Sequence, residues 1–408
     1  MTTRTDCRGL PLTGATPRAL ERYEHAVADF LCHRGDPLRA AREASLEAPA
    51  FVAARLLEAW LLLGSRDGRD ADEAALAWRN LAGLRMNGHE RAHAAALGTA
   101  LGRDCARSSR MLDALLERSP HDVVALTVAG GFDHMYGNTA AYARRAARAV
   151  GAWTPGMPGY HAVLAQHAFA LEESGEYGRA EEAAMGALDR EPMDLRAHHA
   201  IAHVHEMRGD PDAGIRWMGR RAAQWTGPGP AATHHWWHLA LFHVDRGDAA
   251  HALRIYDRRI GAQATRVSEL IDAAALLWRL ELAGGAAGAR WAALAARWAP
   301  HAEDAYCPFN DVHAMMAFAA AGRDDLAERV LAAVARTAAR PDPVGAMART
   351  VGEPACRAIR AFARGDHATA ERLLRALPPL LHRIGGSHAQ RDVLEQTRFA
   401  ARLLRRAA

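Results

Sequence analysis

The sequence predicts an all-α protein, a solenoid of helical hairpins forming one domain over residues 21–408 behind an N-terminal extension at 1–20. Three observations carry this. Half of the 408 residues are hydrophobic and Ala dominates, which favours helix by intrinsic propensity. β-branched residues are sparse, and no stretch alternates apolar and polar for long, so strands lack their signature. Units of helix, glycine turn and helix recur along the chain.

The clearest unit is "AFALEESGEYGRAEEAAMGALDREP", residues 168–192. Small and apolar residues recur at helical spacing up to Gly175, which makes a tight turn. Tyr177, Ala180 and Ala187 then build a second helix, and Pro192 ends it. This resembles the tetratricopeptide pattern. Similar turns fall at Gly35, Gly102, Gly137, Gly209, Gly247, Gly322 and Gly365, with weaker ones at Gly64 and Gly284. From Gly175 to Gly209 is 34 residues, the tetratricopeptide period, and from Gly209 to Gly247 is 38. Several turns read "GD", where Asp can cap the following helix. About ten such hairpins are expected, each burying its apolar stripe against its neighbours. Proline-rich stretches interrupt the array as loops: "TGPGPAA" at 226–232, "APHAEDAYCPFN" at 299–310, and "RPDPVGAMARTVGEP" at 340–354 as the longest.

Composition removes several function classes. The chain has no lysine, so Schiff-base catalysis and a Walker A loop are excluded. Arginines number 51 against 47 acidic residues and the charges are interspersed, which argues against a nucleic-acid surface despite a pI near 9.0. Five scattered cysteines without a CxxC point to a reducing cytoplasm rather than to disulfides or a thiolate zinc site. No apolar leader is visible in residues 1–20, and "FVAARLLEAWLLLG" is too short to span a bilayer. A cytoplasmic protein without membrane contact is expected. The oligomeric state stays open, and a homodimer is compatible with the chain.

Polar residues collect at particular positions. In tetratricopeptide stacks the first helix of each hairpin lines the concave face. His199 stands ten residues before Gly209, while His238 and His313 stand nine before Gly247 and Gly322. Neighbouring first helices pack about 8–10 Å apart, so imidazoles at equal height can approach one ligand. His203 and Glu206 continue the face of His199 at i+4 and i+7, whereas His198 and His205 point elsewhere. "HHWWHLALFH" supplies His234, Trp237 and His238, "LLWRLEL" supplies Trp278, Arg279 and Glu281, and "FNDVHAMMA" supplies Asn310, Asp311 and His313. After the pair Gly385 and Gly386, "SHAQRD" supplies Ser387 as a helix cap, then His388, Gln390, Arg391 and Asp392. Each cluster also has a structural reading. Helical histidines can be packing residues, Arg279 can brace two helices through Glu281 or Asp272, and the tryptophans can be core knobs.

In this order the clusters resemble the tetratricopeptide repeat protein 38 family. The likeness runs from about residue 120 to the C-terminus and is most specific at "WRLE" and "GGSHAQRD". It implies a right-handed superhelix of hairpins and little fixed chemistry. Its polar positions fall on His199, His203, Glu206, His234, His238, Arg279, Glu281, Asn310, Asp311, His313, His388, Gln390, Arg391 and Asp392. There are departures: Gly130 and Gly131 stand where the family pattern has a His–Asp pair, His161, Gln166 and His167 enter an apolar stretch, and Ala275 replaces a Ser.

The expected function is an enzyme whose concave pocket handles a small polar or anionic molecule by acid–base chemistry. Elimination, isomerisation, cyclisation or hydrolysis in a bacterial biosynthetic pathway would suit it. His199, His203, Glu206, His238, His313, Asp311 and His388 would be catalytic. Arg279, Glu281, Trp237, Trp278, His234, Asn310, Gln390, Arg391 and Asp392 would bind substrate. No cofactor is required by this chemistry. If a divalent metal is used, His199, His203, Glu206 and His238 form the nitrogen and oxygen set that suits zinc or iron. The alternative is a scaffold that holds a peptide or protein partner in the groove.

Overall fold

The computed structural model describes residues 4–227, 229–261 and 264–407. Almost all of its regular structure among the described residues is helical. The only strands among the described residues are Arg4–Thr5 and Pro11–Leu12, two residues each and antiparallel. Cys7, in the turn between them, donates its S–H to Glu24 at 3.2 Å and its backbone N–H to the same carboxylate at 2.7 Å. Burial pushes that thiol up to about 11, and the carboxylate adds to the rise while Arg8 opposes it. Helix begins at Pro17–Cys32, ahead of the expected boundary at 21.

Consecutive helices pack as pairs. Pro17–Cys32 lies on Pro37–Glu47, Gly88–Leu101 on Cys105–Arg118, Tyr160–Glu173 on Tyr177–Leu188, and Glu353–Ala363 on His367–Leu374. The turns follow one rule. Gly35, Gly137, Gly175, Gly209, Gly247, Gly322 and Gly365 all have positive φ, which costs glycine nothing. At Gly102 the expectation shifts by one residue: Arg103 takes the left-handed position at φ 70°. The Asp after the turn caps the next helix as expected. Asp36 accepts from the Arg39 amide, Asp104 from Arg107, Asp210 from Ala213, Asp248 from His251 and Asp366 from Thr369.

One loop expectation is corrected. Residues 340–354 are mostly helical: Pro343–Met347, a π turn at Ala348–Gly352, then Glu353–Ala363. Pro343 sits in a first turn, where its missing N–H costs nothing, and Asp342 accepts from the Gly345 amide. Pro354 follows the π turn and sits in the first turn of Glu353–Ala363. The "TGPGPAA" loop is shorter than expected, since helix resumes at Pro230–Asp245; Pro228 lies outside the described residues.

The chain forms two compact units. The first comprises the described residues up to His134, then Asn138–Val204 and Arg221–Ala232. The second comprises Met135–Gly137, His205–Arg220 and the described residues from Thr233. The second is built on a continuous apolar core that includes Trp278, Trp291, Trp298, Phe309, Met315 and Phe318. In the first, Tyr23 packs edge-on against Phe51, and Trp60 against Phe132. No helix of the described residues is long and apolar enough to cross a membrane.

Candidate functional site

On the Pro230–Asp245 helix, His234, Trp237 and His238, all of the second unit, share one face, as i, i+3, i+4 spacing requires. His234 Nδ1 lies 3.0 Å from each oxygen of the buried Asp272 carboxylate. His238 Nδ1 lies 2.9 Å from Glu206 Oε2. An ionised carboxylate only accepts, so each imidazole donates from Nδ1. The two rings meet edge to face at 4.8 Å. Trp237 stacks on His234 at 5.1 Å and meets His238 edge-on at 4.9 Å.

Arg279 lies two turns after Asp272 on Val267–Leu282, and its guanidinium sits 5.5 Å from the Trp237 ring centre. Its Nη2 donates to the Ala389 carbonyl at 2.5 Å and to the Asp392 carboxylate. Asp272 and Glu281 are therefore not its partners. Its Nη1 and the Trp237 indole N–H are buried and meet no acceptor. A buried donor left unmet costs about 1–3 kcal/mol, so two in one place are unusual.

The other expected residues have local roles. Glu281 is exposed and accepts from Trp291 Nε1 at 2.8 Å. Trp278 donates to Thr397 Oγ1 at 2.9 Å within the core. Cys307 donates its S–H to Asn310 Oδ1 at 3.1 Å, and His313 Nδ1 donates to the Phe309 carbonyl at 2.7 Å. Asp311 is buried. Ser387 and Gln390 cap reciprocally: each side chain accepts from the other's amide, at 3.3 and 3.1 Å. The Ser387 and Gln390 amides are thus already bonded within the turn. Arg391 donates to the Gly386 carbonyl, and His388 is exposed. Gly386 has φ +81°, and a Cβ there would come within 2.6 Å of the Phe309 ring.

The set expected for a metal divides between the units: Glu206 and His238 belong to the second, His199 and His203 to the first. In the first, His203 Nε2 lies 2.9 Å from His199 Nε2, and both rings pack on Phe169 at 5.4 Å. His203 Nδ1 is 3.5 Å from Glu172 Oε2. His198, expected off this face, is buried with Nε2 3.0 Å from the Pro192 carbonyl. Burial pushes its pKa below 6.5, although the hydrogen bond and Asp194 pull the other way.

A further cluster escaped the sequence reading. His89 and His93, on Gly88–Leu101, reach Asp122 Oδ2 at 2.9 and 2.7 Å. Burial would raise the Asp122 pKa, but the two imidazoles more than offset it and hold the carboxyl far below its usual range. Trp60 Nε1 donates to His93 Nδ1 at 3.2 Å, and Asp122 Oδ1 accepts from the Ala125 amide at 2.9 Å. The cluster borders a cavity of about 30 Å³ lined also by Asp6, Arg8 and Tyr23, room for water rather than for a metabolite. Its signal was present: 89 and 93 have the i, i+4 spacing of 199 and 203, and of 234 and 238. No family model matches the chain.

Proposed function

We propose that the second unit binds a small anionic molecule and performs acid–base chemistry on it, as elimination, isomerisation, cyclisation or hydrolysis would require. The observation that carries this is the pair of buried donors without acceptors, Arg279 Nη1 and Trp237 Nε1, beside two carboxylate-backed imidazoles. A carboxylate or phosphate oxygen would meet both donors. His238 and His234 would exchange protons through Nε2, while Glu206 and Asp272 hold the tautomers and stabilise the imidazolium. The reading includes tetratricopeptide-like hairpins within each unit, supported by the Gly–Asp turns, and residence in the cytoplasm, supported by five free cysteines.

The test is binding of a panel of small carboxylates and inorganic phosphate to the full chain, read by calorimetry and thermal shift. At least one should bind and raise the melting temperature. Trp237→Phe keeps the ring and removes the donor, so it should weaken that binding about tenfold. An unchanged melting temperature across the panel, or equal binding by Trp237→Phe, overturns the reading.

A further inference from the structure

In the first unit, one short turn places a hydroxyl and a carboxylate on the same imidazole. Ser119 ends the Cys105–Arg118 helix, and Asp122 precedes the Val123–Met135 helix. The Asp122 amide donates to the Ser119 carbonyl at 3.1 Å, and Trp153 Nε1 donates to the Pro120 carbonyl at 2.9 Å, so the turn is pinned. His89 bridges its two side chains. Ser119 Oγ lies 3.3 Å from Nδ1, and Asp122 Oδ2 lies 2.9 Å from Nε2. The neighbours place the protons. Trp60 Nε1 only donates, so His93 Nδ1 accepts, and His93 Nε2 carries the hydrogen that reaches Asp122. With one nitrogen accepting and the other protonated, His93 has no lone pair left for an ion. Asp122 takes both rings on Oδ2 and the Ala125 amide on Oδ1, an acceptor throughout. Neutral His89 therefore carries its hydrogen on Nε2 and its lone pair on Nδ1, facing the Ser119 hydroxyl.

From this geometry we infer that Ser119 is a nucleophile that hydrolyses carboxylic esters, with His89 as its general base and Asp122 as the residue that positions His89. Bracing alone does not call for the hydroxyl. His161 Nδ1 meets Asp194 Oδ2 at 2.7 Å, and Asp194 likewise caps its helix, but Glu191 stands where Ser119 does. A separation of 3.3 Å is the looser spacing such a pair has before substrate tightens it. Ser119 is half-buried and the His89 side chain is 13% exposed, so a substrate reaches the pair from solvent. Ser119 Oγ bonds to the ester carbonyl carbon as its proton passes to His89 Nδ1. The tetrahedral adduct then collapses, the C–O bond to the alcohol breaks, and the alcohol leaves with that proton. Water adds to the acyl carbon, gives a proton to the same nitrogen, and the acid departs as Ser119 recovers its hydrogen. An ester asks least of this arrangement, because its leaving alcohol needs only the proton that His89 returns.

The experiment treats the full chain with a fluorophosphonate, which loses fluoride to an activated serine and leaves a phosphonyl ester. Intact mass should show one adduct per chain, peptide mapping should place it on Ser119, and Ser119→Ala should take up none. His89→Gln and Asp122→Asn should each lower the maximal labelling rate about 100-fold while the half-saturating reagent concentration stays unchanged. Should either variant lose its helical circular dichroism, wild type unfolded in urea decides, since labelling that depends on this geometry disappears there. Four results overturn the inference: no adduct on the wild type, an adduct on another residue, an undiminished rate in folded His89→Gln, or labelling of Ser119 that survives unfolding.

Discussion

His198 and His203 are both buried on the Leu195–Met207 helix, yet physical chemistry gives them different work. His203 faces a carboxylate, whereas His198 faces a backbone carbonyl, and burial disfavours its charged form. Its lowered pKa has a definite sign. As pH falls below 6.5 the unfolded chain takes up a proton that the folded chain refuses, so this residue subtracts stability toward acid. His198→Gln should cost about 1 kcal/mol at about pH 8 through the weakened bond to Pro192. Its melting temperature should then fall less steeply than wild type between about pH 8 and pH 5. Parallel curves would show that His198 carries no such penalty. The residue scale was the least legible in sequence. Spacing placed His199 with His203 and His234 with His238, because i, i+4 neighbours are local. It could not name Asp272 for His234, or Asp392 for Arg279, because those partners come from other helices.

At the scale of elements, legibility was high where one residue type has one physical use. Glycine at a left-handed turn and Asp at a helix start are such cases, and the pairs of helices follow from them. Proline misled at 340–354 because a proline in a first turn starts a helix as readily as it ends one. The Gly385–Gly386 pair makes the sharpest demand on an element. Both residues are left-handed, and at Gly386 a side chain would also strike Phe309. Gly386→Ala should therefore destabilise the protein by about 1–3 kcal/mol and lower its melting temperature. A Gly131→Ala control, where a Cβ meets open space on a helix, should be neutral or slightly stabilising. Equal melting temperatures for the two variants would remove this turn from the list of determinants.

For the whole molecule, helix content was legible because composition and periodicity act everywhere along the chain. The division into two compact units was not, since a repeat reads alike on either side of a boundary. Compactness depends on distant pairings such as Trp278 with Thr397, 119 positions apart, which no local pattern encodes. The candidate site inherits the same asymmetry: its histidines and Glu206 could be read, whereas the pairing of Asp272 with His234 could not. The small N-terminal hairpin offers a practical handle. Four of the five cysteines are buried, and Cys7 is exposed. Because burial and the Glu24 carboxylate disfavour its thiolate, Cys7 should alkylate slowly at about pH 7.5 and faster as pH approaches 11, with Glu24→Gln accelerating the reaction. A maleimide dye coupled under alkaline conditions should then mark one position per chain, confirmed by peptide mapping; rapid labelling at neutral pH would contradict the Glu24 contact. With no lysine side chain to compete, alkaline coupling does not scatter the dye over the surface, and Cys7 becomes a fixed reporter position in a protein whose helices otherwise look alike.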